Sequence, residues 1–202
     1  MRADSTLAAY DRHAAEYADE WLAQDTPADL YADLQRWFAR GAATVDVGCG
    51  SGRDVAWLRA HGYPAVGCDA SDGLLAEARR RFPALEFHRA ALPLLAEISD
   101  RFANVLCETV IMHLPRDEIP AAVRSLARIT RPGGTLYLSW RVTEAPDGAD
   151  QFDARGRRYA CFAPALVTDA LDGMTIINRE DRISRSSGKR IAIAVARKSE
   201  ES

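Results

Sequence analysis

The chain has 202 residues, 48% of them hydrophobic and 27% charged, with a net charge of −3 and a pI near 5.8. This is the balance of one globular domain with at most a small appendage, and it excludes disorder, collagen or coiled coil as whole-chain descriptions. The mildly acidic balance argues against a nucleic-acid partner, no apolar run reaches the roughly 18 residues that span a bilayer, and the N-terminus has no apolar signal core.

Residues 5–40 read as helical, with Leu7, Tyr10, Tyr17, Trp21 and Leu22 at mixed three, four and seven spacings. Thr26-Pro27-Ala28-Asp29 restarts a helix, with Thr26 as cap and Pro27 in the first turn. Leu30, Leu34, Trp37 and Phe38 then share a face, and Gly41 stops it. From Ala43 short apolar runs alternate with helical stretches. The runs are Thr44–Val47, Ala65–Cys68, Leu85–Phe87, Ala103–Cys107 and Thr135–Trp140; the helices lie near Asp54–Ala60, Ser71–Arg81, Leu94–Ser99 and Asp117–Ile129. Such alternation predicts an α/β fold whose parallel sheet is covered on both faces. Thr143–Arg158 reads as a loop and Ala163–Leu171 as a helix. Met174–Ile183 and Ile191–Val195 form a terminal antiparallel hairpin across Ser186-Ser187-Gly188.

The strongest signal is Val45-Asp46-Val47-Gly48-Cys49-Gly50-Ser51-Gly52-Arg53-Asp54. A buried strand runs into three alternating glycines and then a helix. Glycines permit a tight turn and close backbone approach to a ligand, and the helix N-terminus behind offers free N–H groups. Asp46 inside the strand is costly unless it accepts hydrogen bonds from the loop. Asp69 ends the next strand 21 residues beyond Gly48, where a carboxylate can hold two ribose hydroxyls. Either NAD or S-adenosylmethionine would suit, but the dinucleotide fingerprint wants a glycine where Arg53 stands.

VDVGCGSG resembles the first motif of class I, Rossmann-like S-adenosylmethionine-dependent methyltransferases. Val66-Gly67-Cys68-Asp69-Ala70-Ser71 resembles the second, Phe102–Leu114 the fourth strand with its loop, and Leu126–Leu136 the segment written L-x-R-x-L-x-P-G-G-x-L. The resemblance covers residues 43–141 and is to small-molecule members of the methyltransferase type 11, 12 and 25 kind; Tyr10–Tyr17 is similar to their lid helix. It implies a doubly wound, mostly parallel seven-stranded sheet with an antiparallel C-terminal strand. It also implies a lid at residues 1–40 and a Rossmann-like domain at 41–198. The implied cofactor is S-adenosylmethionine, with S-adenosylhomocysteine as product. Gly48, Cys49, Gly50 and Gly52 would meet its methionine part, and Asp46 would steady the loop or take the amino group. Arg53 would reach the carboxylate, Asp69 the ribose, and Ala70 and Ser71 would border the adenine. The acid that many relatives carry near the adenine is missing, since none occurs between Glu86 and Glu97. Backbone at Ala90, Ala91 and Leu92 would serve instead, and Glu108 would touch the cofactor.

Methyl transfer from a sulfonium is an in-line displacement that needs alignment and exclusion of water. A base is needed only for an acceptor that must lose a proton. His113, after the fourth strand, is the candidate base. Acceptor contacts are expected from Tyr10, Tyr17 and Trp21 of the lid, from His113, from Trp140 and Arg141 ending the fifth strand, and from Arg158 in the late-loop segment Arg155-Gly156-Arg157-Arg158-Tyr159. Planar guanidiniums suit a carboxylate or phosphate. The pattern predicts no metal site. The four cysteines, Cys49, Cys68, Cys107 and Cys161, lie far apart without CxxC, so neither zinc nor a disulfide framework is expected and a cytoplasmic setting fits. The expectation is a small-molecule methyltransferase, monomeric or homodimeric. A non-catalytic sensor or partner subunit that binds the same cofactor is the alternative from another class, ahead of an NAD-type domain.

Overall fold

A computed structural model describes residues 3–142 and 148–200. Five strands, β1 (Thr44–Val47), β2 (Ala65–Asp69), β3 (Phe87–Arg89), β4 (Phe102–Glu108) and β5 (Thr130–Arg141), run parallel. A hairpin of β6 (Asp150–Phe152) and β7 (Arg158–Ala160) stands apart as a second, two-stranded sheet. β8 (Met174–Ile183) and β9 (Arg190–Lys198) complete the main sheet in the order β3-β2-β1-β4-β5-β9-β8. β9 is antiparallel to both its neighbours. Strand order reverses between β1 and β4, and in open α/β sheets the ligand crevice lies there, beyond the carboxyl ends of the strands.

Alternation along the central strands builds two cores. Val105, Cys107, Leu136, Leu138 and Trp140 face one side and pack with Ile119, Val123, Leu126 and Ile129 of α6 (Ile119–Ile129). Leu106, Tyr137, Ile191, Ile193 and Val195 face the other. There they meet α3 (Ala28–Trp37), α4 (Arg53–Ala60) and α5 (Asp72–Arg81) through Leu30, Leu34, Val55, Leu58 and Leu75. α3 thus lies within the helical layer of the sheet. A third, small cluster joins Tyr17 and Ala14 of α2 (Ala14–Ala23) to Leu74 of α5.

α1 (Ala3–Arg12) is fastened to the start of α5. Ser71 caps α5 by accepting the Leu74 N–H at 3.1 Å and donates its hydroxyl to Asp11 at 2.6 Å. The same Asp11 oxygen accepts the Gly73 N–H at 3.0 Å. A carboxylate at a helix N-terminus satisfies orphan donors and meets the positive end of the helix dipole.

Local details depart from the sequence reading. Thr26 does not cap α3: its main-chain carbonyl accepts the Ala28 N–H, and Asp29 takes the Leu30 N–H. Leu94–Ser99 forms turns in place of a helix, because Arg128 donates to the carbonyls of Leu94, Leu95 and Ile98. The helix expected over Ala163–Leu171 is only the single turn α7 (Ala165–Thr168). The described part of the expected Thr143–Arg158 loop carries β6 and the start of β7; residues 143–147 lie outside the described residues. Leu126 is fully buried between α6 and the sheet. Replacing it with Ala should cost about 2–5 kcal/mol in a denaturant titration, the range for a truncated core leucine.

Candidate active site

The carboxyl ends of β1, β2, β4 and β5 open into a cleft of about 460 Å³, a size that suits a small ligand. The glycine loop forms its floor. Gly48 and Cys49 donate their N–H groups to the Cys68 carbonyl at 2.7 and 3.0 Å. Gly50 donates to Asp69 Oδ2 at 2.9 Å, while Ser71 N–H reaches Asp69 Oδ1 at 2.8 Å. One carboxylate therefore joins the loop to the turn that starts α5. Gly48 has φ +80°, and a Cβ there would enter the space of Val110. Gly50 has φ +53°, and its Cβ would stand 2.8 Å from the Trp21 ring. Both positions demand glycine for conformation and for space.

Acids gather at this end. Asp54 and Glu108 line the cleft with Asp69, and Asp46 is buried beneath them. Arg53 answers part of this charge through a two-pronged pair with Asp54 at 3.0 and 3.2 Å, and Tyr31 donates to Asp54 at 2.8 Å. Asp46 receives none of the loop N–H bonds described above; burial first, then the charges of Asp54, Glu108 and Asp69, push its carboxyl well up. Burial likewise raises Glu108, to about 7, with the Asp54 charge adding to it. A bound cation would relieve this repulsion.

The roof and far wall have the opposite character. Tyr10 donates its hydroxyl to His113 Nε2 at 2.9 Å, and His113 Nδ1 lies 2.5 Å from the Arg158 carbonyl. A carbonyl only accepts, so Nδ1 carries the proton and Nε2 is the acceptor. Burial pushes the His113 pKa down to about 4, against the pull of that carbonyl. Arg141 lies over the Tyr159 ring at 4.7 Å, and Arg157 approaches the rings of Tyr159 at 5.7 Å and Tyr10 at 5.5 Å. Arg155 ties the β6–β7 hairpin to α2 through Glu20 at 2.7 Å. Arg158 N–H ties it to α1 through Thr6 at 2.9 Å.

Of the residues singled out by sequence, Gly48, Cys49, Gly50, Arg53, Asp69, Ala70, Ala90, Ala91, Leu92 and Glu108 line the cleft, as do Tyr10, Trp21, His113 and Arg141. Others do not. Trp140 is 2% exposed and points into the α6 core, because alternation along β5 sends Arg141 to the cleft and its neighbour away. The same alternation runs into β7: Arg157, just before the strand, and Tyr159 within it reach the cleft, and the Arg158 side chain turns toward Asp150 and Phe152. Tyr17 is fully buried behind Tyr10 and Trp21, stacked on Trp21 with ring centroids 5.6 Å apart. Ser71 is a helix cap. Asp46 is not a loop clamp; Asp69 holds that position. A general base with an ordinary imidazole pKa is also not what His113 presents, since burial keeps it neutral and both ring nitrogens are engaged. Sequence reasoning had the segment that holds Arg157 and Tyr159 but chose Arg158 from it, and it missed Asp54 and the Ser184–Ser187 turn at the cleft edge. The alternation of Arg157, Arg158 and Tyr159 was the signal that favours Arg157 and Tyr159 over Arg158.

Glu108 gives a measurable consequence. Its folded pKa, about 7, lies above the ordinary 4.5, so between those values the folded state holds more protons than the unfolded one. Stability must therefore fall as pH rises through that window. Glu108→Gln removes this penalty and should stabilise the protein by on the order of 1–3 kcal/mol at pH 8 but hardly at pH 4, in paired thermal melts.

Comparison with known proteins agrees with this geometry. The family described as "Methyltransferase domain" matches residues 44–134. A trans-aconitate 2-methyltransferase of Methylobacterium nodulans is 35% identical over 78% of this chain and 58% of its own length. A malonyl-[acyl-carrier protein] O-methyltransferase of Enterobacter lignolyticus is 31% identical over 75% of this chain and 64% of its own length. The chain thus spans about three-fifths of these relatives. Among solved structures, the Burkholderia thailandensis 1,6-didemethyltoxoflavin-N1-methyltransferase, with bound 1,6-didemethyltoxoflavin and S-adenosylhomocysteine, superposes with a TM-score of 0.73 at 20% identity. That superposition covers 98% of this chain and 89% of that one. The matched span holds the glycine loop and Asp69, and the superposition shows that the chain has the Rossmann-like methyltransferase fold.

Proposed function

We propose that the protein transfers a methyl group from S-adenosylmethionine to a small-molecule acceptor. The observation that carries this reading is the glycine loop held against Asp69 at the crevice between β1 and β4, with an acidic cluster beside it. The residues present fit the cofactor. Gly48 and Gly50 bring bare main chain to the cleft, Asp69 keeps lone pairs for ribose hydroxyls, and Ala70 and Ala90–Leu92 offer an apolar wall to the adenine. Asp54 and Glu108 would hold the cofactor's ammonium end. When bound, the cofactor supplies a methyl group already activated on a sulfonium.

The chain's own part is to align and to exclude water. Residues 41–198 form the catalytic domain in this reading. Within residues 1–40, α1 and α2 act as its cover, with Trp21 pressed on the glycine loop and Tyr10 held over the cleft by His113. His113 is then a positioning residue, and the acceptor borders it. The buried thiols of Cys49, Cys68 and Cys107 support a reducing, cytoplasmic setting, and a monomer or homodimer is expected.

Isothermal titration should show S-adenosylhomocysteine binding at micromolar strength or better, with no competition from NAD. Asp69→Ala should weaken it by about 1–3 kcal/mol, the scale for lost hydrogen bonds to a buried charged group. Tight NAD binding without S-adenosylhomocysteine binding would contradict the reading.

A further inference from the structure

The end of the cleft opposite the glycine loop carries an excess of positive charge among the described residues. Arg141 and Arg157 converge on one ring, that of Tyr159, at 4.7 and 5.7 Å. His113 packs on the same ring at 4.9 Å and is neutral, its proton fixed on Nδ1 by the Arg158 carbonyl. Asp153 pairs with Arg157 through Nε at 2.6 Å. Among the described residues no carboxylate pairs with Arg141. Of the cleft-lining acids, Asp54, Asp69 and Glu108 belong to the glycine-loop end, Glu20 is paired with Arg155 at 2.7 Å, and Glu118 pairs with neither Arg141 nor Arg157. Among the described residues the far wall therefore presents two guanidiniums against one paired acid, in a chamber roofed by Tyr10 and Trp21.

Closing such a chamber over a neutral or cationic acceptor would leave a desolvated guanidinium unpaired and would set it facing the sulfonium. Both are unfavourable. A carboxylate resolves both at once, because it supplies the missing negative charge and matches the planar fork of arginine. We propose that the methyl acceptor is a small carboxylic acid, gripped by Arg141 and Arg157 and methylated on a carboxylate oxygen. This rests on the methyltransferase reading given above.

The step balances without a base. A lone pair of the carboxylate oxygen forms the new O–C bond, the C–S bond breaks, and its electron pair stays on sulfur as a neutral thioether. No proton moves, so a neutral His113 committed to Tyr10 is no obstacle. The products are a methyl ester and S-adenosylhomocysteine.

The test begins with the S-adenosylhomocysteine complex, titrated with malonate, succinate, citrate and trans-aconitate and with their neutral amides. At least one acid should bind saturably, and its amide should bind tenfold more weakly or worse. Arg141→Gln and, separately, Arg157→Gln should weaken that acid tenfold or more, with S-adenosylhomocysteine affinity unchanged within a factor of two. With methyl-labelled S-adenosylmethionine, the same acid should take up label that mild alkali releases as methanol, the mark of an ester. The proposal is overturned if no acid binds the complex, if Arg141→Gln binds the acid as well as the wild type does, or if amines and neutral alcohols are methylated and the acids are not. Failure of S-adenosylhomocysteine to bind at all would instead strike the cofactor reading.

Discussion

Asp69 holds two pieces of main chain with one carboxylate, and the rest of the site depends on that grip. The Gly50 and Ser71 N–H groups reach its two oxygens at 2.9 and 2.8 Å. Hydrogen bonds to a charged acceptor are worth about 1.5–3 kcal/mol each, more than neutral ones. They offset the cost of burying the charge, which raises the Asp69 carboxyl above its usual range despite the bonds it accepts. Through Gly50 the bond shapes the floor of the cleft. Through Ser71 it fixes the start of α5, whose cap carries Asp11 and so the first helix of the roof. Floor and roof are thus referred to the same residue.

The cleft built on that frame is electrically polarised. One end collects Asp46, Asp54, Asp69 and Glu108, and the other collects Arg141 and Arg157 around Tyr159. Tyr10 stands between them, within reach of the Asp69 charge on one side and the Arg157 charge on the other. A zwitterionic sulfonium donor and an anionic acceptor would each meet complementary charge, and each would screen the other. Polarity of this kind aligns two ligands along one axis before any chemistry, which is the main service an in-line displacement asks of a protein.

The central domain was legible in the sequence because its signals are local. Alternating apolar runs and helical periods gave the parallel sheet, and the glycines of Val47–Gly52 with Asp69 marked the crevice. What escaped depends on tertiary context. Arg128 diverts the carbonyls of Leu94–Ile98 from helical bonding, and no local pattern announces an arginine 30 residues away. Asp46 looked like the loop clamp because it is near in sequence; Asp69, from the next strand, reaches the loop only once the sheet pairs β1 with β2. Of the residues expected to meet an acceptor, Arg141 lines the cleft and its neighbour Trp140 does not, and Arg158 turns away where its neighbour Arg157 faces the cleft. Strand alternation decides which neighbour faces the cleft, and β7 was read as loop. His113 was placed in the site by its position after β4, but its pKa is a property of burial that the sequence does not display.

A crystal structure of the protein with S-adenosylhomocysteine tests the central claim most directly. The account predicts ribose oxygens within hydrogen-bond distance of Asp69 and the methionine part along Gly48–Gly50. The sulfur should face the space bounded by Tyr10, Arg141 and Arg157. A ligand seated elsewhere, or a sulfur turned away from the two arginines, would contradict it.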